Sequence, residues 1–171
     1  MSDTKFRWTA GSVGLLVAVI LIALMWAYIL SPFSKSGGTP TTLKDTTFTA
    51  AAEQACAAAQ ADIAKLPKAA TAESPEERST VLTEANAIVA GLVKNLEAIE
   101  PKAPQDRQFT DQWLADWNSY LASRQAYAQL LATGKDDRFA VQAEGGHPIT
   151  ERMDGFAQIN HMPSCQTPTD V

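Results

Sequence analysis

The sequence predicts an all-α protein: an N-terminal transmembrane helix followed by an extracytoplasmic, antiparallel four-helix bundle closed by one disulfide. Three observations predict it. No residue between Arg7 and Lys35 carries a charge, so an apolar run of 22 residues, Thr9–Leu30, stands near the N-terminus. Four later segments repeat apolar side chains at helical spacing between proline and glycine stops. The two cysteines, Cys56 and Cys165, bracket those segments.

At about 1.5 Å per residue the apolar run makes roughly 33 Å of helix, enough for a hydrocarbon core of about 30 Å. Trp8 stands at one edge and Trp26, Tyr28 and Phe33 at the other, where aromatic rings favour the headgroup level. A cleaved signal peptide fits less well, because its apolar core runs about 7–15 residues and a small-x-small cleavage site follows it. The nearest such site, Ser34-Lys35-Ser36, lies beyond Pro32. Residues 9–30 therefore read as an uncleaved single-pass anchor. Within it, Ala10, Gly14 and Ala18 form a small-xxx-small row on which a second helix could pack.

Flanking charge leaves the orientation open, since Lys5 and Arg7 are balanced by Lys35 and Lys44. The cysteines decide it. A lone pair bracketing a domain reads as a disulfide in an oxidising compartment, which places residues 1–8 in the cytoplasm and the bulk of the chain outside. The alternative is two separate buried thiols, which behave as small hydrophobes and would permit the reverse orientation.

Residues 31–47 hold Ser36-Gly37-Gly38 and Thr39-Pro40-Thr41-Thr42 without apolar periodicity, the composition of a flexible tether. Coil scaling over that length gives a reach of roughly 20–25 Å. Residues 48–171 are long enough for one domain with its own core. They carry 10 Lys and Arg against 17 Asp and Glu. That balance excludes nucleic acid and anionic lipid as partners of the domain, since both require a basic face.

The first domain helix runs from Phe48 to Leu66, with Ala52, Cys56, Ala59, Ile63 and Leu66 on one stripe and Pro67 closing it. The second opens at Ser74-Pro75-Glu76-Glu77: Ser74 caps, Pro75 suits the first helical position, and Glu77 is spaced for a capping box. Val81, Ala85, Ile88, Leu92, Leu96 and Ile99 line its face up to Pro101. The third spans Gln105 to Thr133, with Gly134 as a left-handed terminator. Phe109, Trp113, Trp117, Tyr120, Tyr127 and Leu131 share its broad face with Leu114 and Leu121. After a glycine loop at 145–148, a fourth helix from Ile149 to Ile159 carries Ile149, Met153, Phe156 and Ile159. No stretch alternates with period two, so strands are not expected, and short proline-containing connections favour an up-down bundle.

Chemistry-bearing motifs are missing: no phosphate loop, no Cys-x-x-Cys, no His-Glu-x-x-His and no Gly-x-Ser-x-Gly. His147 and His161, with Glu151 and Asp154 between them, could in principle hold zinc. Their placement in a glycine loop and a post-helix tail argues for solvated side chains instead, and no metal, cofactor or catalytic residue is expected. Trp113, Trp117, Tyr120 and Arg124 are spaced 4, 3 and 4 apart on one helical face. Such a wall, ending in a guanidinium fork, could bind a flat or anionic ligand. The plainer reading packs the aromatics into the core and pairs Arg124 with Asp116, Glu151 or Asp154.

The run Asp111–Leu121 followed by Arg124, and Phe156-Ala157 with Asn160, Met162 and Cys165, resembles uncharacterised single-pass envelope proteins of high-GC actinobacteria. The resemblance implies an anchored domain outside the cytoplasmic membrane and no particular activity. The expected function is a non-enzymatic, membrane-anchored interaction or accessory role with a protein partner in the envelope, presented through an exposed apolar or aromatic patch. The alternative is a small-ligand module using Trp113, Trp117, Tyr120 and Arg124.

Overall fold

A computed structural model describes Val19 and residues 41–171. The expected membrane helix, its Ala10/Gly14/Ala18 row and most of the tether lie outside the described residues. Among the described residues no helix is long and apolar enough to cross a membrane. From Thr41 onward the chain is mostly helical, with four helices: α1 (Thr46–Ile63), α2 (Pro75–Glu97), α3 (Arg107–Leu131) and α4 (Ile149–Ile159).

Each helix starts or stops where local chemistry dictates. The Asp45 carboxylate caps α1 by accepting from the amides of Thr47 at 2.9 Å and Phe48 at 3.3 Å. The helix ends at Ile63, three residues before the expected stop. Leu66 precedes Pro67, which disfavours helical backbone there, and the chain instead turns through a Leu66 amide to Ile63 carbonyl bond. Phe48, Ala52, Cys56 and Ala59 form its buried stripe.

Ser74 caps α2, accepting from Glu77 N–H at 3.1 Å, with Pro75 in the first turn. The Glu77 carboxylate reaches back one residue further than a capping box requires, to the Glu73 amide at 2.7 Å. The buried face of α2 is centred on Leu82, Ala85, Val89, Leu92, Val93 and Leu96, while Val81 and Ile88 lie half-buried beside it. The expected stripe is thus broadened and rotated, because α2 packs against both α1 and α3.

Gly134 ends the α3 turn at φ 77°, as a left-handed terminator should. Between α3 and α4 lies an element that was not expected, a hairpin pairing β1 (Ala143–Glu144) with β2 (His147–Pro148). Two-residue strands are too short to show a period of two; Gly145 and Gly146, both at positive φ, are the turn signal that makes the pair possible.

The bounds of α4 coincide with those read from the sequence. It stops without a glycine. His161 sits at φ 57°, its amide bonding to Gln158 O, while the Met162 amide bonds to Ala157 O at 2.9 Å. These are the two bonds of a Schellman motif, with histidine in the position glycine usually fills.

The main core gathers α1, α2, α3 and α4 around Leu96, Trp117, Met153 and Met162. A smaller cluster of Ala69, Leu82, Ala128 and Leu131 closes the other end. The turn Pro163–Cys165 packs against both α1 and α4. Cys165 is bonded there to Cys56, and both are fully buried.

At the other end of the unit, Asn160 accepts from the Leu43 amide at 2.7 Å and donates to Thr41 O at 3.1 Å. Asp106 accepts from the Lys44 and Asp45 amides, both at 2.8 Å, and Leu43 is buried. Residues 41–45 are therefore fixed to the domain before α1 begins.

Candidate functional site

The four residues that formed the candidate ligand wall all lie on the buried face of α3. Their rings meet edge to face: Trp113 and Trp117 centroids are 6.1 Å apart, Trp117 and Tyr120 5.8 Å. Phe156 of α4 extends the chain at 5.3 Å from Trp113, and Phe139 at 6.4 Å from Tyr120. Aromatic area is thus spent on packing between helices, in the geometry that ring quadrupoles favour. The indole N–H groups of Trp113 and Trp117 are buried with no hydrogen-bond partner among the described residues.

Arg124 ends this row, and its side chain is 0% exposed. Asn86 of α2 accepts from its Nε at 2.7 Å. Asp170 accepts from Nη1 and Nη2, both at 2.6 Å, in a bidentate fork. The Tyr120 hydroxyl accepts from Nη1 at 3.2 Å and donates to the Pro168 carbonyl, also at 3.2 Å. The guanidinium carbon sits 5.6 Å from the Tyr120 ring centroid. Burial alone would push Arg124 toward neutrality, but Asp170 and Tyr120 outweigh it and hold the charge more firmly than usual. Burial also raises the Tyr120 phenol, with Arg124 opposing, so the hydroxyl remains a proton donor to Pro168.

The carboxylates considered as partners for Arg124 are engaged elsewhere. Asp116 takes a bidentate contact from Arg152 at 2.7 and 2.8 Å, which holds that guanidinium charged despite partial burial. Glu151 contacts His147 at 3.1 Å on the surface. Asp154 accepts from the Thr167 amide at 2.7 Å. Asp170 was not foreseen, because the tail carries no periodicity to place it. Asn86 did leave a signal, a polar residue four positions after Leu82 on the buried face of α2.

None of Trp113, Trp117, Tyr120 or Arg124 lines any of three clefts formed among the described residues. One, of about 740 Å³, lies between the α1–α2 connection and the tail, with Ile63, Leu66, Lys68, Arg78 and Tyr127 on one side and Pro168–Val171 on the other. Arg78 pairs with Asp136 at 2.6 Å, and its guanidinium charge is held above all by the neighbouring Tyr127 hydroxyl, against the cost of burial. A second, about 530 Å³, is an uncharged groove between α2 and α3, and a third of about 290 Å³ adjoins Arg152. His147 and His161 do not converge on a shared centre: the first makes its surface pair and the second terminates α4. Among the described residues no three His, Cys, Asp or Glu side chains are placed to hold a metal ion. Among the described residues, Val19 and Val171 are the exposed large apolar side chains, while Phe109, Leu114, Leu121, Phe139 and Val141 are half-buried.

No family model, no curated protein and no solved structure matches this chain.

Proposed function

We propose that this chain is a single-pass, membrane-anchored envelope protein whose helical domain lies outside the cytoplasmic membrane and binds a protein partner without catalysing a reaction. The observation that carries the reading is the uncharged Thr9–Leu30 run ahead of a domain with a fully buried disulfide. An anchor supplies residence at the bilayer, and a disulfide is at home in an oxidising compartment. The resemblance to actinobacterial envelope proteins agrees with this placement.

Preference for a binding role over a small-ligand site rests on Arg124. Its donors are spent on Asn86, Tyr120 and Asp170, and the aromatics beside it are packed against other rings. The test places a photo-crosslinking amino acid at exposed positions on each helix, Asp62, Lys94, Asp111 and Glu151, in intact cells. The reading predicts discrete protein adducts confined to one or two of these faces. Absence of adducts from all four, with the domain folded and at its normal level, contradicts it.

A further inference from the structure

Asn86 of α2, 5% exposed, is held in one orientation by Arg124, whose Nε donates to its Oδ1 at 2.7 Å. A guanidinium only donates, so the amide oxygen must face it and the Nδ2 group is turned the other way. Among the described residues nothing accepts from that nitrogen, and Asn86 lines the groove of about 530 Å³ between α2 and α3. The groove thus holds a hydrogen-bond donor whose direction a buried cation fixes. Its neighbours on α2 do the opposite. The Ser79 hydroxyl donates to Ala128 O at 2.7 Å and the Thr83 hydroxyl to Ser79 O at 2.8 Å, so both offer only oxygen lone pairs to the groove. Thr83 and Asn86, three residues apart, are neighbours on one helix face with an offset of about 4.5 Å along the axis. No charged side chain lines the groove, and Ala87, Ala90, Ala128 and Ala132 contribute its methyl groups.

We propose that this groove is a binding site for a small, uncharged secondary amide, whose carbonyl accepts from Asn86 Nδ2 and whose N–H donates to Thr83 Oγ1. A charged ligand would lose its water there with no opposite charge to meet it. A lone hydroxyl carries donor and acceptor on a single atom and cannot serve two positions a helix offset apart. An amide carries them on two atoms and bears no charge, and a small group on its carbonyl carbon meets the alanine methyl groups. On the α3 side, Gln125 and Gln129 are exposed along the rim and can both donate and accept, which suits the polar remainder of such a molecule. Arg124 is here a positioning residue: it does not line the groove, and it acts by holding the Asn86 amide in place. Two sources supply the group, an acetamido sugar and a peptide bond. The site lies apart from the interaction reading above, and either can fail without the other.

The experiment titrates the full-length chain in nanodiscs with N-acetylglucosamine and, separately, with N-acetyl-alanine N-methylamide, reading saturation-transfer NMR at ligand concentrations of about millimolar order. Glucose, which lacks the acetamido group, is the control. At least one of the two amides should bind, at least tenfold more tightly than glucose, and the one that binds names the source. Asn86→Asp keeps an acceptor for Arg124 but removes the donor, and should weaken binding at least tenfold. Ala87→Leu, on an exposed wall of the groove, fills the space and should do the same without touching the core. Binding of neither amide, glucose binding as tightly as the amides, or affinity unchanged in the variants overturns the proposal. If a thermal melt shows that Asn86→Asp does not fold, Ala87→Leu decides alone: a tenfold loss supports the site and an unchanged affinity removes it.

Discussion

Arg124 and Asp170, 46 positions apart, meet through two 2.6 Å hydrogen bonds, the guanidinium fully buried and the carboxylate partly exposed. One lies on α3, the longest of the described helices, and the other in the tail, so the pair sets where the tail runs. A buried ion pair contributes little net stability over an apolar replacement, because desolvation offsets attraction. Its meaning is geometric: it specifies one path for the tail across α3.

Removing one member leaves the other stranded. Asp170→Asn should lower unfolding free energy by about 2–5 kcal/mol, while Arg124→Met, which leaves Asp170 able to turn to solvent, should cost less. Urea denaturation of both and of the double variant checks this. A coupling energy of about 1.5 kcal/mol or more is expected, and additive effects would show that the pair is independent of stability.

The Cys56–Cys165 bond closes a loop of 109 residues of separation. The chain-entropy model assigns such a loop about 4–5 kcal/mol, a large share of a small domain's stability. Cys56→Ala/Cys165→Ala should therefore unfold at markedly lower denaturant, with hydrogen exchange rising first in residues 162–171. Uniform loss of protection across the domain would contradict the second part.

Asp45 should impose an acid limit. Its carboxyl is pushed down to about 2 by the Thr47 hydroxyl bond first, then by the Lys102 amide and the amides of the helix start. The unfolded state binds the proton more readily, so this contribution is complete above pH of about 4 and is lost as pH falls toward 2. Asp45→Asn keeps a capping side chain but not the charge. Thermal melts from pH 5 to 2 should show a shallower decline for the variant, and identical slopes would refute the assignment.

His161 occupies left-handed backbone that glycine adopts without penalty. His161→Gly should raise stability by about 0.5–1 kcal/mol, unless the imidazole itself is needed. A loss on substitution, measured by the same denaturation series, would show that His161 does more than end α4.

Helix positions were legible because proline, serine and glycine punctuate them: Ser74 and Pro75 open α2, and Gly134 closes the turn after α3. The disulfide was legible from count and placement. On α2, Ala85, Leu92 and Leu96 are buried as read, but Leu82 and Val89 take the core positions expected of Val81 and Ile88, since both pairs satisfy helical spacing and contact with two neighbours decides between them. At the candidate site, burial of Trp113, Trp117 and Tyr120 followed from their period. The path of the tail did not, because Glu53, Gln60, Asp154 and Asp170 act across 13 to 111 positions and leave no local pattern. The Schellman turn at His161 was hidden for the same reason: tertiary packing of Met162 imposes a conformation that histidine does not advertise.

The most direct test of the account is the redox state and exposure of the domain in intact cells. Thiols are trapped under denaturing conditions with and without prior reduction, while protease is applied from outside to parallel samples. The account predicts that Cys56 and Cys165 take up label only after reduction and that external protease removes the domain. Labelling of both thiols without reductant, in a domain shielded from protease, would contradict it.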